Sequence, residues 1–193
     1  METEQQKESI NNNQDKGLSL KEIVKLLVIT FILVMPIRIF IAEPYLVKGL
    51  SMDPTFKNND YLIVEKITSR MGNIERGDII VFKSPLAEKR NLIKRVIGLP
   101  GEKIALKDGK FTIEKNDGAK VTLEESYVIY QNIFKENNWT LKPDEYFVSG
   151  DNRAGSYDSR DWGPLKKEKI TGKPLIRLFH FNSVGLWPGK FSI

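Results

Sequence analysis

The chain has 193 residues, no cysteine, a single histidine and a net charge of +5. That length suits one domain with an appendage, and the missing cysteines exclude disulfides, thiolate metal sites and cysteine nucleophiles. Residues 1–42 hold equal numbers of acidic and basic side chains, so the positive excess lies in residues 43–193. It suits an anionic membrane surface. It forms no basic stripe with interleaved aromatics, so no nucleic-acid partner is expected.

Residues 1–18, "METEQQKESINNNQDKGL", are polar and predict a disordered tail. "SLKE" at 19–22 has the spacing of a capping box, with Ser19 and Glu22 as its reciprocal partners. The run "IVKLLVITFILVMPIRIFIA", 23–42, matches the roughly 20 apolar residues that span a bilayer. Lys25 and Arg38 lie near its ends, where long cations snorkel to the interface. Pro36 is tolerable in a transmembrane helix, and Glu43-Pro44 predicts the stop. Residues 19–42 therefore read as one uncleaved anchor helix, since no small-x-small site follows the run directly. Flanking lysines are balanced across it (Lys16 and Lys21 against Lys48 and Lys57), so charge leaves its orientation open.

From residue 43 to 193 short β-branched and aromatic runs alternate with turn signals. "DYLIVEKI" (60–67), "DIIVFK" (78–83), "NLIKRVIG" (91–98), "EYFVSG" (145–150) and "PLIRLFHF" (174–181) read as strands. "KDGK" (107–110) and "NDGA" (116–119) read as hairpin turns, and "LPGE" (99–102) as another turn. A short helix or irregular piece is expected over 122–138. The fold class is mainly β, an antiparallel sheet domain behind one N-terminal transmembrane helix.

Chemistry concentrates in three places. "KGLSMDPTF", 48–56, sets Ser51 in a turn directly after the apolar run. A serine hydroxyl is a poor nucleophile until a base takes its proton. The lone histidine, His180, lies far down the chain and reads as an ordinary strand residue. A neutral lysine can serve instead, provided burial lowers its pKa from about 10.4. Lys94, inside "NLIKRVIGLP", is the lysine placed in an apolar strand. The alternative for Lys94 is a solvated edge strand. The third place is the loop "GDNRAGSYDSRDWG", 150–163. On composition it reads as a polar surface loop. Equally, it can organise a site, with Ser156 orienting the lysine and Asp158 paired with Arg160, joined by Arg95.

These stretches resemble type I signal peptidase, a membrane-anchored serine protease that removes signal peptides from exported proteins. "SMDPTF" resembles its nucleophile box, "RGDIIVF" (76–82) a structural strand box, "KRVIGLPGE" (94–102) its lysine box and "GDNRAGSYDSRDWG" its last box, all in the family's order. The resemblance implies Ser51 as nucleophile and Lys94 as general base, 43 residues apart in sequence. It implies a hydrogen bond from Ser156 to Lys94, support from Asp158 and Arg160, outer partners in Asp151 and Arg95, and shaping of the turn by Met52 and Pro54. It implies preprotein substrates with small residues before the cut, a lipid setting, a cytoplasmic N-terminus and an extracytoplasmic catalytic domain. No cofactor or metal is implied.

Two positions depart from the family's usual pattern. Gly49 stands where many members carry a serine that supplies a second oxyanion donor, leaving a main-chain group or water for that role. Phe56 replaces a leucine, a packing change. For the substrate pocket, Leu50 and the 60–67 strand are candidates. Two other catalytic motifs are missing: no serine has a lysine three positions on, and no Gly-x-Ser-x-Gly elbow occurs. The rival from another class is a membrane-tethered β-domain with a dead site that binds a partner protein.

Overall fold

The structure is a computed structural model and describes residues 19–68, 72, 74–87, 90–130, 135–178, 185–186 and 188–189. The chain divides into two compact units, Met1–Ile39 and Phe40–Ile193. The expected tail, 1–18, and His180 lie outside the described residues.

In the first unit, helix α1 (Leu20–Pro36) opens with the expected capping box. The Ser19 N–H donates to Glu22 Oε2 at 2.7 Å and the Glu22 N–H to Ser19 Oγ at 3.3 Å. No residue of α1 is buried, although nearly all of its side chains after Lys25 are apolar. Pro36 has no N–H for the α ladder. The α-helix ends there, and five residues in π geometry, Ile37–Ile41, follow. The single helix expected over 19–42 is thus a 17-residue α-helix and a π segment. No helix of the described residues is by itself long and apolar enough to cross a membrane.

The second unit is built of antiparallel strands. They are β1 (Ala42–Leu46), β2 (Tyr61–Glu65), β3 (Ile79–Lys83), β4 (Asn91–Gly98), β5 (Lys103–Lys107) and β6 (Lys110–Glu114). Then come β7 (Lys120–Thr122), β8 (Asn137–Thr140), β9 (Glu145–Ser149), β10 (Leu165–Lys166), β11 (Ile170–Arg177) and β12 (Gly185–Leu186). A short helix, α2 (Ser159–Trp162), precedes β10. The large sheet runs β1-β2-β11-β3-β4-β9-β10, with β12 also on β11, and the smaller runs β7-β6-β5-β8.

Glu43-Pro44, expected to stop a helix, lies inside β1. Proline is tolerated there because β1 is the sheet's edge strand. The strand expected over 174–181 begins earlier, at Ile170, and residues 179–181 lie outside the described ones. The described part of 122–138 contains no helix. It is irregular, flanked by β7 and β8, and Leu123 and Tyr127 bury there. The "KDGK" turn joins β5 to β6, with Asp108 at φ 50° and Gly109 at φ 75°, as a two-residue type I′ hairpin demands.

Strand β4 explains how a charged strand becomes buried. Its second half, from Lys94 to Gly98, is buried throughout. Val96 packs with Ile80, Phe82 and Val148. Ile97 belongs to a different cluster with Ile104, Phe111 and Phe147. Both faces of the strand are covered, so the two charged residues that precede Val96 go into the interior with it.

Candidate active site

The turn that carries Ser51 is anchored from below. Met52 and Phe56 are buried in a cluster with Val47, Leu62, Val64, Ile79 and Val81. The Phe56 N–H donates to the Met52 carbonyl at 2.9 Å, and Pro54 fills a half-buried position in the same turn. From above, Asn152 ties the turn to the 150–163 loop. Its backbone N–H donates to the Ser51 carbonyl at 3.1 Å and its Nδ2 to the Leu50 carbonyl at 3.1 Å. Packing below and hydrogen bonds above hold the Ser51 side chain in one place.

Lys94, opposite Ile80 in the sheet, brings its ammonium nitrogen to that place. Its Nζ lies 2.7 Å from Ser51 Oγ and 3.1 Å from the Ile93 carbonyl. The residue is 3% exposed and forms no ion pair with a carboxylate among the described residues. Burial pushes its pKa down to about 8, against the smaller upward pull of the Asp158 and Asp151 charges; Arg160 and Arg90 add to the downward push. A nitrogen so poised accepts the hydroxyl proton when it is neutral.

Arg95 points to the other side of β4 and is fully buried. Its Nε donates to Asp151 Oδ1 at 2.8 Å and its Nη2 to Asp151 Oδ2 at 2.6 Å. Nη1 donates to the carbonyls of Gly77 and Gly189 at 2.8 and 2.7 Å. Asp151 also accepts from Thr55 Oγ1 at 2.5 Å, which carries the network back to the nucleophile turn.

Asp158 caps α2 and pairs with Arg160 through two hydrogen bonds of 2.8 Å. Burial raises its pKa, but the Arg160 bonds and charge, the Gly150 N–H and the Ser156 hydroxyl outweigh burial and leave it below the ordinary value. Here the structure corrects one expectation. Ser156 Oγ donates to Asp158 Oδ2 at 2.7 Å, not to Lys94. It sits against Gly150, where an added Cβ would collide with both Ser156 Oγ and the Ser51 carbonyl. Asp158 gathers four donors around one oxygen, and it captures the hydroxyl. Nor does Arg95 join Asp158; its partner is Asp151.

Gly49 has φ +103°, a conformation L side chains rarely adopt. A Cβ there would meet nothing within 4 Å, so backbone conformation rather than space favours glycine. Its N–H donates to Asn58 Oδ1 at 2.9 Å.

Four residues of the network went unassigned in the sequence reading: Thr55, Glu125, Tyr127 and Arg153. Arg153 makes two bonds to Glu125, 2.7 and 2.6 Å, and donates to the Gly150 carbonyl at 2.9 Å. The Arg95 guanidinium lies 4.0 Å from the centre of the Tyr127 ring. Arg153 stands in the charged loop, a visible signal. Glu125 and Tyr127 stand in an irregular stretch that carries none.

Beside Ser51 opens a cleft of about 200 Å³ whose walls include Tyr45, Val47, Leu62, Val81, Ile93 and Lys94. Leu62, one of the expected pocket residues, lines it. Leu50 does not, and its side chain is largely exposed. The cleft runs along the first half of β4. Asn91–Lys94 pair with β3 on one side, whereas pairing with β9 begins at Arg95.

A buried lysine hydrogen-bonded to a serine hydroxyl, beside a cleft with an open strand edge, is the arrangement that a serine hydrolase with an amine base requires. Residues 20–179 match the family model described as signal peptidase, peptidase S26. A probable signal peptidase I-2 of Synechocystis sp. is 36% identical over 96% of this chain and 83% of that protein. A signal peptidase I P of Bacillus subtilis subsp. natto is 37% identical over 88% of this chain and 94% of that protein. A crystal structure of a signal peptidase I from Enterococcus faecalis V583 is 31% identical, with a TM-score of 0.46 over 52% of this chain and 96% of that one. The chain belongs to the signal peptidase family, peptidase S26, and is a serine endopeptidase of the signal peptidase I type.

Proposed function

We propose that the protein cleaves N-terminal signal peptides from exported preproteins through a Ser51–Lys94 dyad, while anchored in a membrane. The observation that carries the dyad is the 2.7 Å contact between Ser51 Oγ and a lysine whose pKa burial lowers to about 8.

In the working form Lys94 is neutral and its Nζ accepts the hydroxyl proton. As the proton leaves, Oγ attacks the scissile carbonyl carbon and a tetrahedral oxyanion forms. The backbone N–H of Ser51 has no acceptor among the described residues and is available to the oxyanion. A preorganised donor of this kind is worth about 3–4 kcal/mol. Collapse breaks the C–N bond, and the departing amine takes the proton from Lys94. Water then attacks the Ser51 ester, with neutral Lys94 as base, and releases the carboxylate and the free hydroxyl.

An extended substrate fits the cleft as an added strand on Asn91–Lys94, where main-chain bonds give affinity and side-chain pockets give selectivity. The apolar floor of Val47, Leu62, Val81 and Ile93 suits small side chains before the cut. The anchor reading rests on α1, whose apolar side chains are exposed throughout. At 1.5 Å per residue its 17 residues reach about 25 Å, and the five π residues bring the pair close to a hydrocarbon core of roughly 30 Å. The N-terminus is then cytoplasmic and residues 43–193 extracytoplasmic, on the side where signal peptides emerge.

The test is cleavage of a secretory preprotein by the full chain in detergent and lipid, beside Ser51→Ala and Lys94→Met. The expected product starts after a small-x-small site and is lost in both variants. Full activity in Lys94→Met would overturn the dyad. A folded wild type that cleaves nothing would favour a tethered binding domain.

A further inference from the structure

The cleft beside Ser51 has a charge pattern that the chemistry of peptide cleavage does not require. Its lining includes three charged residues, Lys48, Arg90 and Lys94, all cationic, and no carboxylate. Lys94 is occupied with Ser51. Lys48 and Arg90 are different: both are exposed, and neither forms an ion pair with any described residue.

Among the described residues, three carboxylates near the site are tied up elsewhere, and Asp53, in the Ser51 turn, forms no ion pair but does not line the cleft. Glu43, at the far end of the same wall, pairs with Lys66 at 2.6 Å and accepts from Tyr45 at 3.2 Å. Asp151 and Asp158 are buried in their pairs with Arg95 and Arg160. The two cations belong to different walls. Lys48 follows β1 on the way to the Ser51 turn, and Arg90 directly precedes β4. A peptide extended along Asn91–Lys94 therefore meets two positive side chains that form no ion pair with any described residue.

We propose that Lys48 and Arg90 select substrates that carry a carboxylate within a few residues of the scissile bond and disfavour those with a lysine or arginine there. This rests on the peptidase reading above and adds a substrate class to it: small, neutral side chains in the apolar floor, flanked by Asp or Glu. Exposed cations discriminate weakly one at a time, but unlike charges attract and like charges repel at the same site. The difference between acidic and basic peptides sums both effects.

The experiment uses the full chain in detergent and lipid with internally quenched peptides that share one small-x-small cut site. At each remaining position, from four residues before the cut to two after it, the peptide carries Glu, Gln or Lys. At one or more positions the Glu peptide exceeds the Lys peptide about fivefold in kcat/KM at low salt. That ratio shrinks toward one near 1 M salt, where the screening length falls to about 3 Å. The Lys48→Glu/Arg90→Glu double variant inverts the ratio, and because both side chains are exposed its fold is retained. Equal rates for Glu and Lys peptides at every position would overturn the inference and leave the peptidase reading standing. So would a preference that the double variant keeps. Failure to cleave any peptide of the set would overturn both.

Discussion

Lys94 and Arg95 are neighbours on one strand, both cationic and both buried, and they have opposite fates. Arg95 meets a carboxylate that matches its fork, two backbone carbonyls and an aromatic face. Lys94 meets one hydroxyl and one carbonyl. The period of a strand sends them to opposite faces, and the face decides the chemistry. A buried cation with a full set of partners is a structural clamp. A buried cation with no carboxylate partner among the described residues holds its proton less firmly, as a base requires. This pair teaches that burial alone does not assign a role; the partners do.

The largest expected effect separates the two residues by activity. Lys94→Met, like Ser51→Ala, lowers kcat by about 10⁴-fold or more, because members of a catalytic unit fail together. Thermal unfolding of Lys94→Met at pH 7 is unchanged or shifted upward. Its ammonium is held about 3 kcal/mol out of its preference for charge by a pKa of about 8 instead of 10.5. A marked loss of stability would mean that Lys94 is a clamp like its neighbour.

Arg95→Met reverses the pattern. It leaves Asp151 buried without its partner and costs about 3–5 kcal/mol of stability, measured by denaturant unfolding. A variant as stable as the wild type would dissolve the distinction between the two positions.

The pH dependence sharpens it further. Activity needs neutral Lys94, so kcat/KM climbs about fivefold from pH 7 to 8 and less than twofold from 8 to 9. Stability moves in the same direction. Between pH 8 and 10.5 the unfolded chain keeps a proton on Lys94 that the folded chain has lost, so this residue makes stability rise with pH there. A profile flat from pH 7 to 9 would rule Lys94 out as the titrating base.

The smallest effect tests which residue holds which. Ser156→Ala removes one of the four donors to an Asp158 oxygen and costs about 1 kcal/mol. The acid limb of the pH profile keeps its midpoint, because Ser156 does not touch Lys94. A shift of that midpoint by a full unit would restore the direct bond that the sequence resemblance implied.

Much of this protein was readable in its sequence. The turn residues of "KDGK" set a hairpin because Asp108 and Gly109 take positive φ. The spacing of Ser19 and Glu22 set a helix start, since both partners lie within one turn. The strand "NLIKRVIG" was legible to its ends as β4, and the stretches around Ser51, Lys94 and Ser156 that the sequence singled out are brought together by the fold. Local rules suffice where the interacting groups are near in sequence.

Tertiary structure decided the rest. The apolar run 23–42 changes from α to π geometry after Pro36 and passes into β1 at Ala42. Ser156 was drawn to Asp158 rather than Lys94 because four donors converge on one carboxylate oxygen, a count no sequence pattern contains. Glu125 and Tyr127 entered the network from a stretch without any signal, and Thr55, though inside the nucleophile stretch, has its partner, Asp151, 96 residues away. The sequence by itself determined which residue types were on hand and the strands that carry them. Which of two adjacent buried cations found a carboxylate, and which came to face a serine hydroxyl, depended on what the folded sheet placed opposite each face.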